Sequence, residues 1–84
     1  MKLVISRSYN GFSSSGRHWK LIHDCYNDRG NPILVKMVEK FPEQFIGLVV
    51  VNIPEETTDY IIEEFDGFEV VFYVIDGKIH KAIR

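Results

Sequence analysis

Apolar residues recur along the chain in short runs that predict five strands and two helices. In the first run, residues 2–7, Leu3 and Ile5 point to one face and Val4 to the other, which is typical of a strand inside a covered sheet. Further strands rich in β-branched and aromatic residues are predicted at 47–53, 58–65, 68–75 and 78–83.

Two short turns join the last three predicted strands. Asp66-Gly67 and Asp76-Gly77 each separate two apolar runs, and both residue types tolerate the positive φ that a tight hairpin turn requires. The sequence therefore predicts a C-terminal antiparallel meander of three strands.

The first predicted helix covers about residues 16–27. Ser14 or Ser15 is a suitable N-cap, because serine readily accepts a hydrogen bond from the first helical N–H groups. Three large side chains share one face of this helix at helical spacing: Trp19, Ile22 and Tyr26.

The second predicted helix covers residues 32–41. Asn31 is a good N-cap, Pro32 suits the first helical position because it has no N–H to leave unpaired, and Pro42 stops the helix. Its apolar stripe consists of Leu34, Met37, Val38 and Phe41.

These elements predict a single α+β domain over residues 1–84. We expect an N-terminal strand followed by two short helices. The helices pack on one face of a mostly antiparallel sheet of four to five strands, whose C-terminal part is the meander. Three strands are apolar on both faces, but two short helices cover only one face of such a sheet. We therefore expect the second face to meet another copy, giving a homo-oligomer that is at least a dimer.

Composition agrees with a small folded domain. With 45% hydrophobic and 26% charged residues, the chain is too apolar for disorder. Cys25 is the only cysteine, so no internal disulfide forms, which favours a reducing, cytoplasmic setting. The apolar run at the start is too short for a signal peptide or a membrane span.

Charge is distributed unevenly along the chain. Residues 1–36 carry six basic and two acidic side chains, a net charge of +4, whereas residues 37–84 carry four basic and ten acidic ones, a net charge of −6. The acidic second half argues against a groove for long nucleic acid, while the basic first half permits a local anion site.

Sequence signals for chemistry are few. The spacing of His18, His23, Cys25 and His80 does not match the close ligand pairs of zinc sites, so no metal site is predicted. Serines near His18 lack the G-x-S-x-G setting of a nucleophile, and no third group is placed to orient a base. We expect no enzyme activity and no cofactor.

The segment from Arg7 to Trp19 is the strongest candidate for a binding site. A strand leads into a Gly/Ser loop and then into a helix N-terminus, where free N–H groups and the helix dipole favour an anion. Arginine and histidine side chains add charge, and the aromatic ones provide surfaces on which a base stacks. A plain connector whose aromatics join the core is the alternative. The predicted ligand-binding residues are Arg7, Ser8, Tyr9, Asn10, Gly11, Phe12, Ser13, Ser14, Arg17, His18 and Trp19.

Four blocks in order resemble a family of short proteins encoded by tailed phages and prophages. Tyr9-Asn10-Gly11-Phe12-Ser13 is similar to that family's Tyr-Gly-Gly-Phe-like loop, and Pro32-Ile33-Leu34-Val35-Lys36-Met37-Val38-Glu39 to its Pro-x-Leu-Val-x-x-Val-Glu helix. The other two blocks are Val51-Asn52-Ile53-Pro54 and Ile62-Glu63-Glu64-Phe65-Asp66-Gly67.

The resemblance implies a phage accessory protein that acts in the host cytoplasm, with anti-defence as one role. Together with the loop, it suggests a sponge that sequesters a cyclic oligonucleotide or a cyclic ADP-ribose-like immune signal without cleaving it. Two alternatives stay open. The protein could bind a host defence or regulatory protein directly, or it could be a small enzyme that acts on the nucleotide signal.

Overall fold

The computed structural model describes residues 1–13 and 16–82. Its elements follow the predicted order and confirm the α+β class. They are β1 (Lys2–Ser6), α1 (Trp19–Asp24), α2 (Pro32–Lys40), a 3-10 turn (Pro42–Gln44), β2 (Leu48–Asn52), β3 (Asp59–Phe65), β4 (Phe68–Ile75) and β5 (Lys78–Lys81).

The strands form two antiparallel sheets rather than one continuous sheet. β1 pairs with β2, and β3, β4 and β5 form the predicted meander in that order. A single bridge between Arg7 and Phe68 joins the two sheets. At the next position, the Ser6 N–H donates to the carboxylate of Glu69 at 2.7 Å instead of to a backbone carbonyl. A side chain thus takes the place of the backbone ladder where β1 and β4 separate.

The two sheets give the protein three layers. Val4 of β1 packs among the helices, while Leu3 and Ile5 face the meander. The second face of the β1–β2 sheet is therefore covered by the chain's own C-terminal strands. A second copy is not needed on this half of the strands, because splitting the sheet lets the meander fold over it; the homo-oligomer itself stays a prediction.

Helix α2 begins as predicted. The side-chain oxygen of Asn31 accepts hydrogen bonds from the N–H groups of Ile33 at 2.9 Å and Leu34 at 3.4 Å, and Pro32 occupies the first turn. Leu34 and Val38 are buried against β1 and β2. The predicted apolar stripe omitted Val35, which is also buried, and included Phe41, which is the half-buried C-cap; local sequence signals thus give the helix and most of its packing face.

Helix α1 is shorter than predicted, with six residues instead of twelve. The three large side chains of its predicted face line one cleft but differ in burial. Ile22 is buried, but Trp19 is 58% and Tyr26 56% exposed. A helix of fewer than two turns inserts only a narrow strip into the core, and Cys25, just after the helix, is buried in the same cluster as Ile22. His18 is the N-cap, without a side-chain cap bond; the predicted caps Ser14 and Ser15 lie outside the described residues.

Candidate functional site

Three backbone N–H groups of the predicted binding loop are hydrogen-bonded within the loop. The Gly11 N–H donates to the Ser8 carbonyl at 3.2 Å, and the Ser13 N–H donates to the Gly11 carbonyl at 2.9 Å. The Trp19 N–H, at the start of α1, donates to the carbonyl of Gly16 at 3.2 Å. These three N–H groups stabilise the loop itself; the anion site stays a prediction.

The predicted side chains point to different parts of the surface. Arg7 lies at the bridge to Phe68, and the exposed ring of Tyr9 packs edge-on against Phe68 with 4.8 Å between centroids. On the other side, His18 stacks on Phe45 at 4.7 Å, and its Nε2 is 2.7 Å from Gln44 Oε1. Arg7 and Tyr9 therefore do not share a site with His18.

Phe12, the central aromatic of the loop, is buried beneath a guanidinium group. The Cζ atom of Arg29 lies 3.6 Å from the centroid of the Phe12 ring and 5.0 Å from that of Tyr26. Contacts of this kind combine packing with electrostatic attraction between the cation and the ring faces. Phe12 is thus mainly a structural residue that connects the loop to Arg29.

Arg29 is held by a buried ion pair that the sequence analysis missed. Its Nη1 and Nη2 atoms donate to the two oxygens of Glu69 at 2.7 and 2.9 Å, and both residues are about 5% exposed or less. Two further N–H groups donate to backbone carbonyls, Nε to Tyr26 at 2.8 Å and Nη1 to Val4 at 3.3 Å. This cluster connects the α1–α2 segment to both sheets and positions Phe12 and Tyr26.

An open cleft of about 520 Å³ lies beside this cluster, between the loop and α1. Trp19, His23 and Tyr26 follow one another at intervals of four and three residues, so they line one side of α1 and the turn after it. The cleft is lined by Phe12, Ser13, Trp19, Ile22, His23, Tyr26 and Asn27. It combines two exposed aromatic rings with a polar rim, and it contains three of the predicted site residues.

Sequence reasoning missed the residues that complete this cleft. Tyr26 was placed on one helix face with Trp19 and Ile22 but not among the ligand-binding residues, and His23 was considered among the metal ligands. The spacing of Trp19 and Tyr26 at seven residues, two turns of helix, was the available signal.

The other predicted residues line two further openings or stay at the surface. An opening of about 550 Å³ includes Asn10 and Ser13 but also Glu43, and one of about 610 Å³ includes Tyr9, Asn10 and Gly11 beside Glu64 and Asp66. Carboxylates beside an opening disfavour an anionic ligand. The Ser8 N–H donates to Ser6 Oγ at 3.2 Å, Arg17 is exposed, and Ser14 lies outside the described residues.

Metal and membrane features are limited. Within residues 1–13 and 16–82, no three His, Cys, Asp or Glu side chains come together in a way that would hold a metal ion. In the same part of the chain, no helix has both the length and the apolar character needed to cross a membrane.

Comparison with known proteins gave no matching family model, no matching curated protein and no matching solved structure.

Cys25 is placed for packing rather than for reactivity. Its burial, followed by the charges of Asp28 and Asp24, raises the pKa of the thiol above its ordinary value. Since the thiolate is the nucleophilic form, a neutral buried thiol is a poor nucleophile.

We expect iodoacetamide to alkylate Cys25 of the folded protein much more slowly than the same chain in urea at about pH 8. Mass spectrometry measures this directly, because the sequence has one cysteine. The unfolded thiol ionises first as the pH rises, so the free energy of unfolding should fall above the ordinary thiol pKa and be unaffected below it. Equal alkylation rates in the folded and unfolded chain would contradict this placement.

Proposed function

We propose that this protein is a non-catalytic binder of a nucleotide-type ligand and that the cleft beside α1 is the binding site. The observation that carries the proposal is the exposure of Trp19 and Tyr26 in one cleft. Large aromatic rings are normally covered in a small domain, and a ring left exposed in a concave site is suited to stacking on a base.

The rim of the cleft supplies the polar groups that such a ligand needs. Ser13, His23 and Asn27 offer hydrogen bonds to a base or sugar. Arg17, two residues before Trp19, is exposed, and it makes no ion pair within the described ranges 1–13 and 16–82. Arg17 is therefore the cation that we assign to a ligand phosphate.

The resemblance to short phage proteins suggests the ligand class. In this proposal the protein acts in the host cytoplasm and sequesters a cyclic oligonucleotide or a cyclic ADP-ribose-like signal, returning it unchanged. Binding without cleavage requires stacking and phosphate contacts but no reactive group. The neutral Cys25 thiol is consistent with that requirement.

Titration of the protein with cyclic di- and trinucleotides and cyclic ADP-ribose isomers tests the proposal. Trp19 is the only tryptophan, so a ligand that stacks on it should quench the intrinsic fluorescence. Isothermal titration calorimetry measures the affinity independently. No quenching and no heat with any of these compounds would remove the proposed function and favour direct binding of a host protein.

Trp19→Ala should weaken binding by roughly tenfold to a hundredfold, since stacking contributes about 1–3 kcal/mol per base. Tyr9→Ala is the matched control, because Tyr9 is also an exposed aromatic of the loop but does not line this cleft. Calorimetry on both variants compares them. Equal losses of affinity in the two variants would indicate a site that spans the whole loop.

Chromatography of the released ligand separates a binder from an enzyme, because a binder returns the ligand unchanged.

A further inference from the structure

The meander has an apolar face that points away from the core, which we name the outer face. Its inner face, with Tyr60, Ile62 and Tyr73, packs on the β1–β2 sheet. Register places alternate residues of the three strands on the opposite side. The outer face carries Ile61, Phe65, Phe68, Val70, Phe72, Val74 and Ile79.

Large side chains on this outer face are strongly exposed. Ile61 is 55%, Phe65 79% and Ile79 74% exposed. An apolar surface of this kind often marks a site of association.

Charged residues of opposite sign lie on the two edges of the outer face. Asp59 and Glu63 belong to β3, one on each side of Ile61. On the opposite edge, Lys81 of β5 pairs with Phe72, which in turn pairs with Ile61. Lys81 therefore lies in the row between those of the two acidic residues, two strands away from them.

A second basic residue lies on the same edge as Lys81. Phe68 of β4 pairs with Phe65 of β3 on one side and with Arg7 on the other. Arg7 therefore lies on the side of β4 where β5 pairs further along the strand. Within the described residues, neither basic residue forms an ion pair, and neither do Asp59 and Glu63. The outer face thus has an acidic edge and a basic edge, with apolar residues between them.

We propose that two copies of this chain pack outer face to outer face about a twofold axis that runs along β4. Such an axis places β3 of each copy over β5 of the other. Lys81 then lies over Ile61 of the second copy, between its Asp59 and Glu63, and Phe72 meets Phe72 at the axis. Aligned packing of sheets about 10 Å apart accommodates these side chains.

Other twofold arrangements bring like charges together. An axis perpendicular to the strands would place β3 over β3, and Asp59 and Glu63 would face the acidic residues of the second copy. Pairing of β3 with β3 edge to edge would do the same with Glu63 and Glu64, and like charges across strands are destabilising. Charge complementarity therefore selects the axis along β4.

The size of the face predicts a reversible dimer. Three strands about 4.8 Å apart and four rows of outward residues cover about 400 Å² per copy, or roughly 800 Å² in total. That is below the size of standard stable interfaces and typical of weak ones. The cleft beside α1 uses different residues, so this inference goes beyond the proposed function and does not depend on it.

Sedimentation equilibrium over concentrations up to the millimolar range tests the dimer. Glu63→Lys and Lys81→Glu should each weaken association by about tenfold or more, and the double variant should recover to within about threefold of the original chain. Glu56→Lys is the matched control, because Glu56 is an exposed acidic residue outside the meander strands, and it should leave association unchanged. Glu56, Glu63 and Lys81 are all exposed, so these changes should not disturb the fold, and circular dichroism checks that each variant folds.

A chain that stays monomeric throughout the concentration range would overturn the dimer. Association that both single reversals leave intact, or that the double variant fails to recover, would overturn this face and axis. Binding of the face to another protein without self-association would also overturn the proposal.

Discussion

Arg29→Met is expected to lower the free energy of unfolding by about 3–5 kcal/mol, because removing one partner of a buried ion pair leaves an uncompensated charge in the interior. Glu69 would lose both guanidinium donors and keep only the Ser6 N–H. Glu69→Gln should have an effect in the same direction, since its amide cannot accept from both Nη atoms.

These losses are large for a small domain, whose whole stability is typically about 5–15 kcal/mol. Urea denaturation followed by circular dichroism measures them. Arg29→Lys keeps the charge but loses the two-pronged bond, so it should fold and still be clearly less stable. That variant keeps the prediction measurable if Arg29→Met does not fold.

The double change Arg29→Met with Glu69→Leu should recover part of the loss, because an apolar pair leaves no charge unpaired. Lys2→Met is the surface control. Lys2 and Glu39 form an ion pair at 2.8 Å, but both side chains are more than 40% exposed, so the loss should be under about 1 kcal/mol. Similar losses at Arg29 and Lys2 would contradict a structural role for the buried pair.

Gly67→Ala is expected to cost about 3 kcal/mol or more, whereas the same change at Gly77 should cost about 1 kcal/mol. Both glycines are the second residue of an Asp-Gly hairpin turn with positive φ, 89° and 74° respectively. They differ in their neighbours. A Cβ at Gly67 would lie 2.7 Å from the Ser8 carbonyl oxygen and closer still to that of Tyr9, while a Cβ at Gly77 meets nothing within 4 Å.

Thermal and urea denaturation of the two variants measure the difference. The clash at Gly67 involves backbone atoms, so it cannot be relieved by rotating a side chain, and the loop of Ser8 and Tyr9 would have to move. At Gly77 only the φ penalty remains. Equal losses at the two positions would show that the loop yields easily and does not restrain the β3–β4 turn.

These two turns show how far local sequence signals reach. Asp66-Gly67 and Asp76-Gly77 predict the same hairpin geometry, and the structure has positive φ at all four residues. Nothing in the sequence around them indicates that one glycine touches the N-terminal loop. That contact joins residues almost sixty positions apart, and only the folded chain brings them together.

The predicted binding site, too, was determined only in part by local sequence signals. The loop and its aromatics were recognised from composition, and Phe12, Ser13 and Trp19 do line one cleft. Tyr9 lies instead against Phe68 at the edge of the outer face. The side chain's direction depends on how the loop crosses the meander, which the spacing of aromatic residues does not encode.

The α+β class, helix α2 with its Asn31 cap and Pro32 start, and the C-terminal meander follow from the sequence alone, because each rests on signals within a few neighbouring residues. The division into two sheets, the outward rings of Trp19 and Tyr26 and the buried pair of Arg29 with Glu69 required the tertiary structure. The pair joins residues forty positions apart, and the exposure of the two rings depends on what else packs against α1. Such features depend on which distant surfaces meet, and local propensity carries no information about that.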